Sequence, residues 1–280
     1  MTRTWLITGA SRGFGRHLAE AVLAAGDQVV ATARRPEQLD DLVTAHGEQI
    51  RSVALDVTDA AAAEHAVQQA IDAFGHLDVV VNNAGYANSA PIEEMAEQDF
   101  RTQVETNLFG VVNVTRAALP VLRAQRSGVF VQFSSIGGRV GGTPGMGAYQ
   151  TAKFAVEGFS EVLASEVAPF GVRVVIVEPG GFRTDWQGSS MTLHTVGPDY
   201  EQTVGAINRY RQDSHGTQPG DPARAARVLI DVIAGENPPR RLLLGSDALA
   251  AARDAGRIRA AETEQWAAVS TSTDFPADEQ

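Results

Sequence analysis

The 280-residue chain contains no cysteine. That absence excludes a disulfide framework, a thiol nucleophile and a thiolate metal site, and it suits a reducing cytosol. Basic residues are scarce, 23 Lys and Arg against 34 Asp and Glu, giving a formal charge of −11. Such a chain repels phosphate-rich polymers, so nucleic acid is not an expected partner. No apolar run approaches the ~18 residues that would span a bilayer, so no membrane association is expected. The opening run Trp5-Leu6-Ile7 is too short for a secretory signal. The six histidines are scattered without H-E-x-x-H or comparable spacing, which predicts no metal site. Asn113-Val114-Thr115 matches a glycosylation sequon, read as chance inside a helical stretch. The expectation is an acidic, cytoplasmic, globular protein that meets a small molecule.

What is present is a steady alternation. Residues 5–8, 28–33, 52–55, 79–81, 129–133 and 172–177 are short apolar, β-branched or aromatic runs bounded by Gly, Asp or Asn, and 241–244 adds a seventh. Continuous apolar runs predict parallel strands buried on both faces. Helical spacing fills the intervals, as in Leu18, Val22 and Leu23, or Val104, Leu108, Val111 and Val114. Strict β/α alternation predicts an α/β fold, a doubly wound parallel sheet of Rossmann-like type with helices on both faces. Residues 181–221 break the rhythm and read as a lid with no clean period. Helices are predicted at 222–233, with Asp221 as N-cap, and at 246–268. One domain is expected over 1–269, with 270–280 a polar, acidic, unstructured tail.

The first strand runs into Thr8-Gly9-Ala10-Ser11-Arg12-Gly13-Phe14-Gly15 and then a helix. Glycines there permit a tight turn and close backbone approach to a pyrophosphate, and the helix N-terminus offers unpaired N–H groups. Gly9, Ser11, Arg12, Gly13, Phe14 and Gly15 are therefore candidate cofactor contacts. NAD-selective folds place an acid some 20 residues further on, whereas NADP-selective ones place Arg there. Here Arg34 and Arg35 follow the second strand, Arg34 nineteen residues after Gly15, and Arg12 adds a third guanidinium. The expected cofactor is NADP. Gly9 to Gly13 also spell the G-x-S-x-G elbow of α/β-hydrolases, but no earlier loop exists to complete an oxyanion hole.

Tyr149 and Lys153 stand four residues apart, one helical turn above each other. A close ammonium favours a phenolate, so the pair is expected to bring tyrosine's pKa of about 10 toward the working range. The strand 129–133 ends in Ser134-Ser135, and ligands bind at the carboxyl ends of parallel strands. A hydroxyl at that end polarises a carbonyl. Six glycines between 137 and 147 bend the chain back toward it, and Asn107 sits on an otherwise apolar helix face. Trp186 is a candidate substrate contact in the lid.

Over residues 3–185 the chain resembles the classical short-chain dehydrogenase/reductase family. The resemblance rests on the Thr8–Gly15 loop, Asp56-Val57, Asn82-Asn83-Ala84-Gly85, Asn107, Ser135, Tyr149, Lys153 and Pro179-Gly180-Gly181-Phe182-Arg183-Thr184. It implies that Asp56 and Val57 contact adenine, and that Asn83 and Gly85 face the cofactor's ribose side. It further implies that Lys153 holds the nicotinamide ribose, that Asn107 anchors a relay water, and that Pro179, Gly180, Phe182 and Thr184 line the nicotinamide. The Ser135–Tyr149 interval is 14 residues, one longer than in many members, and Ser134 would give 15. The longer C-terminal third resembles the hydroxysteroid and retinol dehydrogenase branch, which implies a bulky, apolar substrate. Family members commonly pair through the helices bearing Asn107 and Tyr149, which implies a homodimer or homotetramer.

The sequence thus predicts an NADP-dependent enzyme that reduces a ketone or aldehyde to an alcohol, reversibly, with Asn107, Ser135, Tyr149 and Lys153 as its catalytic set. Two rivals are weighed. A sugar-nucleotide epimerase would carry a G-x-x-G-x-x-G loop, unlike Gly9, Gly13 and Gly15. An idle NADP-sensing regulator would have lost one of the four catalytic positions.

Overall fold

The computed structural model describes residues 2–276; Met1 and residues 277–280, which end the ranges expected for the domain and the tail, lie outside the described residues. The chain opens with β1 (Thr4–Ile7), α1 (Gly13–Ala24), β2 (Gln28–Ala33), α2 (Asp40–His46), β3 (Ile50–Ala54), α3 (Ala60–Phe74) and β4 (Val79–Asn82). It continues through β5 (Ala87–Ser89), α4 (Glu97–Val104), α5 (Gly110–Gln125), β6 (Gly128–Phe133), the single turn α6 (Ile136–Arg139) and α7 (Gly147–Val167). The last third holds β7 (Val172–Pro179), β8 (Met191–Leu193), α8 (Ala206–Asp213), α9 (Pro222–Ala234), β9 (Arg241–Leu244) and α10 (Ser246–Thr271).

Seven strands form one parallel sheet in the order β3-β2-β1-β4-β6-β7-β9. Each apolar run splits by its period of two between two cores. Trp5, Ile7, Val29 and Ala31 face one side, where α1 supplies Leu18 and Val22 and α9 supplies Leu229 and Ile233. Leu6, Val30, Val80 and Phe130 face the other, under α3 (Ala66, Val67), α5 (Val114, Ala118) and α7 (Leu163). The doubly wound, Rossmann-like architecture read from the sequence is therefore the one adopted. Strand order reverses between β1 and β4, which opens a crevice at their carboxyl ends. Among the described residues no helix is long and apolar enough to cross a membrane.

The lid region differs from the sequence reading. It contains β8, which pairs in parallel with β5 as a separate two-stranded sheet, and the helix α8. Both strands are three residues long, too short to show a period. At the C-terminus Ser270 and Thr271 belong to α10 rather than to a tail, because their hydroxyls donate back to the Trp266 and Ala267 carbonyls and the helix continues. Asp221 caps α9 as expected, accepting from the Ala223 and Arg224 amides.

Phe130 is wholly buried on the interior strand β6. Phe130→Ala is expected to cost ~3–5 kcal/mol through lost transfer energy and the cavity left behind. Chemical denaturation should show a lower midpoint with unchanged slope.

Candidate active site

A cavity of about 600 Å³ runs along the carboxyl ends of the strands, from Arg12, Arg34, Arg35 and Gln38 at one end to Ser135, Tyr149 and Trp186 at the other. At the first end, Gly9 adopts φ +66, and a Cβ there would press on the Ala84 Cα at 2.9 Å. The Thr8 hydroxyl fixes that approach by donating to the Val81 carbonyl (3.1 Å) and accepting from the Asn83 and Ala84 amides (3.0 Å each). The Asn83 side chain donates back to the Thr8 and Gly9 carbonyls at 2.9 and 3.2 Å. No side chain caps α1 at Arg12, so its first-turn amides stay open for an anion.

Of the predicted cofactor contacts, Gly9, Ser11, Arg12, Gly13, Phe14, Arg34, Arg35, Asp56, Val57, Asn83, Gly85, Pro179, Gly180, Phe182 and Thr184 all line the cavity. Gly15 does not. A Cβ at Gly15 would meet the Gly9 carbonyl oxygen and the Asn83 amide, so this glycine serves the packing of α1 beneath the loop. The arginines are exposed at the rim, and Arg12 donates to the Ser189 hydroxyl at 3.2 Å. Asn113, read from sequence as a chance sequon, donates to the Val57 carbonyl at 3.0 Å and holds that wall from behind.

At the second end, Tyr149 and Lys153 on α7 are both buried and face the end of β6. The Ser135 side chain faces the Tyr149 phenol. Ser135 also accepts from the Gly137 amide at 3.0 Å, whereas the buried Ser134 hydroxyl donates to Glu157 at 2.7 Å. Ser135, and not Ser134, is thus the serine that faces the phenol. The Trp186 ring packs on Tyr149 at 4.7 Å between centroids, and Ala87, Met146 and Met191 complete an apolar cluster behind them.

Two expectations change here. Lys153 was expected to pull the phenol's pKa down. Its ammonium instead donates to the Phe133 carbonyl at 2.7 Å and lies 5.8 Å from the Tyr149 ring centroid. Burial pushes the Tyr149 phenol above its ordinary value, opposed among the protein's groups by the Ser135 hydrogen bond. Burial also brings Lys153 down to about 8. Asn107 does not sit on an ordinary helix. It lies in a π-helical turn, Glu105–Phe109, between α4 and α5. Its amide donates to the Tyr86 and Gln103 carbonyls at 2.9 Å each and its oxygen accepts from the Tyr86 amide at 3.2 Å. The wider turn brings this fully buried side chain to the cavity wall. Tyr86, Thr106 and Ser190 also line the cavity and were missed. Only the position of Tyr86, next to the Asn82–Gly85 motif, could have signalled it.

Comparison with known proteins follows the same lines. The short chain dehydrogenase family matches residues 3–192. An oxidoreductase of Botryotinia fuckeliana is 50% identical over 274 residues, spanning 98% of this chain and 100% of its own. The crystal structure of a short-chain dehydrogenase from Streptomyces avermitilis superposes with a TM-score of 0.92 at 42% identity, covering 98% of this chain and 100% of that one. An alcohol dehydrogenase from Thermococcus sibiricus, solved with 5-hydroxy-NADP, superposes with a TM-score of 0.71 at 26% identity, covering 87% of this chain and 96% of that one.

Proposed function

The chain belongs to the short-chain dehydrogenase family, and from that premise we propose that it is an NADP(H)-dependent oxidoreductase reducing a ketone or aldehyde to the alcohol, reversibly. The observation that carries this reading is the two-ended cavity, with exposed guanidinium groups at one end and the facing Ser135 and Tyr149 side chains at the other. The chain's residues fit a dinucleotide. The Gly9 approach and the uncapped start of α1 suit a pyrophosphate, and Arg12, Arg34 and Arg35 suit a further phosphate on the ribose. The 5-hydroxy-NADP of the Thermococcus sibiricus enzyme supports the same choice.

When bound, NADPH supplies the hydride. Tyr149 gives a proton to the carbonyl oxygen, and Ser135 donates a hydrogen bond to the same oxygen as its charge develops. Lys153, Asn83 and Gly85 hold the ribose side, and Asn107 anchors the far end of a proton relay. Trp186, which lines the cavity over Tyr149 and is backed by Met146 and Met191, favours an apolar substituent beside the carbonyl.

NADPH oxidation against ketones and aldehydes of graded bulk tests the reading, with NADH in parallel. Absence of turnover with every carbonyl, despite tight NADPH binding, would favour a sensor. Ser135→Ala is expected to lower kcat on the order of 10²-fold, the loss of one donor to a developing oxyanion. Steady-state kinetics with the preferred carbonyl checks it.

A further inference from the structure

Tyr149, Lys153 and Glu157 occupy successive turns on one face of α7. Each meets a different residue at the end of β6. Tyr149 meets the Ser135 side chain, Lys153 the Phe133 carbonyl at 2.7 Å, and Glu157 the Ser134 hydroxyl at 2.7 Å. The catalytic hydroxyl of Ser135 thus follows directly on two residues pinned to the same helix. Gly138 permits this closeness, because a Cβ there would strike the Ser134 hydroxyl and come within 3.0 Å of Lys153.

The third rung is chemically expensive. Glu157 is 5% exposed and Glu178, at the far end of β7, is wholly buried. Arg241 of β9 bridges them, pairing with the Glu157 carboxylate, donating to Glu178 at 2.8 Å and reaching Glu161 at 2.9 Å. Arg139 of α6 holds the other Glu178 oxygen at 3.1 Å. Burial and the neighbouring Glu178 push the Glu157 carboxyl up, while Arg241 and Ser134 pull it down. Apolar residues of equal volume would join α7 to the sheet at no such desolvation cost. What they could not do is fix a single hydroxyl orientation at Ser134. The same cluster ends at Glu178, the residue before Pro179 and Gly180 on the opposite cavity wall.

We propose that Glu157, acting through the Ser134 hydroxyl, is a positioning residue that sets the Ser135–Tyr149 geometry, with Arg241 and Arg139 locking the carboxylates behind it. The proposal rests on the reductase reading. It assigns to Glu157 no contact with substrate or cofactor.

The test uses the full chain and three variants. Ser134→Ala removes the rung without opening the charged cluster, Ser134→Thr restores a donor, and Glu157→Gln weakens the acceptor. Ser134→Ala and Glu157→Gln are each expected to lower kcat on the order of 10- to 100-fold, the scale of a sub-ångström to ~1 Å misplacement. Their NADPH dissociation constants, measured by fluorescence, should stay within about twofold. The double variant should be no slower than the worse single one, and Ser134→Thr should recover most of the loss. A second readout separates positioning from bare structure. The Ser135 hydrogen bond lowers the phenol's pKa, so loosening it raises that pKa. Alcohol oxidation needs the phenolate, so its pH profile should move to higher pH in Ser134→Ala. A variant that merely destabilises the fold lowers the melting temperature without moving the profile. Unchanged kcat and profile in Ser134→Ala overturn the proposal, as does a loss matched by weaker NADPH binding. If Glu157→Gln fails to fold, Ser134→Ala decides alone. Tyr149→Phe in the same assay guards the premise. Retained turnover there brings down the reductase reading and this proposal together, whereas an inactive Tyr149→Phe beside an unaltered Ser134→Ala brings down the proposal only.

Discussion

Tyr149→Phe is expected to reduce kcat for carbonyl reduction on the order of 10²- to 10⁴-fold, the range a positioned general acid contributes. The substitution deletes one oxygen and keeps the ring. Its packing on Trp186 at 4.7 Å and the apolar contacts with Ala87 and Met146 therefore survive. Ser135 keeps its bond from the Gly137 amide, so the strand end stays in place. NADPH affinity should change by no more than about twofold, because a deficit confined to kcat marks an interaction made in the transition state. The raised phenol pKa sharpens this expectation. A tyrosine held above its ordinary value is fully protonated near neutrality, which is the loaded state for a proton donor to a nascent alkoxide. Lys153 points to the Phe133 carbonyl, so the burial that raises the phenol is not offset by a direct ammonium contact. Stopped-flow and steady-state measurements on the variant check both halves, and unimpaired reduction would sink the mechanism.

The legibility of this site in the sequence follows the range of the interactions involved. The strands could be read because each alternates its side chains between two apolar cores, leaving apolar runs such as Val79–Val81 and Val174–Val177. Tyr149, Lys153 and Ser135 could be read because helical spacing and a strand end are local facts. β5 and β8 could not, since three residues carrying Asn88, Ser89 and Thr192 give no period and their pairing joins positions about a hundred residues apart. The π turn at Asn107 was hidden because the spacing of Val104, Leu108 and Val111 reads as a regular helix, whereas the turn buries Gln103 and Asn107 and leaves Val104 and Leu108 half-buried. That Gly15 lies off the cavity lining could not be read, because a glycine needed for close packing and one needed for ligand approach look alike in one dimension. The contact of Lys153 with the Phe133 carbonyl was illegible for a related reason. A backbone carbonyl leaves no mark in the sequence. The Ser134–Glu157–Arg241 cluster spans three elements and had no local signature at all.

The end of β2 carries the second large expectation. Arg34→Asp should lower the preference for NADPH over NADH, as a ratio of kcat/KM values, on the order of 10²-fold or more. A hydrogen bond to a charged group contributes about 1.5–3 kcal/mol, and ~1.4 kcal/mol is a factor of ten. The substitution removes such a bond, places a carboxylate beside the phosphate, and supplies an acceptor for the free ribose 2′-hydroxyl of NADH. Arg12 and Arg35 stay at the rim and hold back part of the effect, so NADPH binding should weaken rather than vanish. Ser135 and Tyr149, to which the proposed function assigns the chemistry, lie at the other end of the cavity, beyond Asn83 and Gly85. At saturating cofactor, kcat should accordingly stay within about twofold, since phosphate binding is equal in the ground and transition states. Salt offers an internal control. The arginines are exposed, so their attraction is screened over ~8–10 Å at physiological ionic strength, and the wild-type preference should shrink as salt rises while the variant's changes little. An Arg34→Asp enzyme with the wild-type ratio would show that Arg34 is merely solvated. The discrimination would then have to come from Arg12 and Arg35, the two guanidinium groups that share its rim.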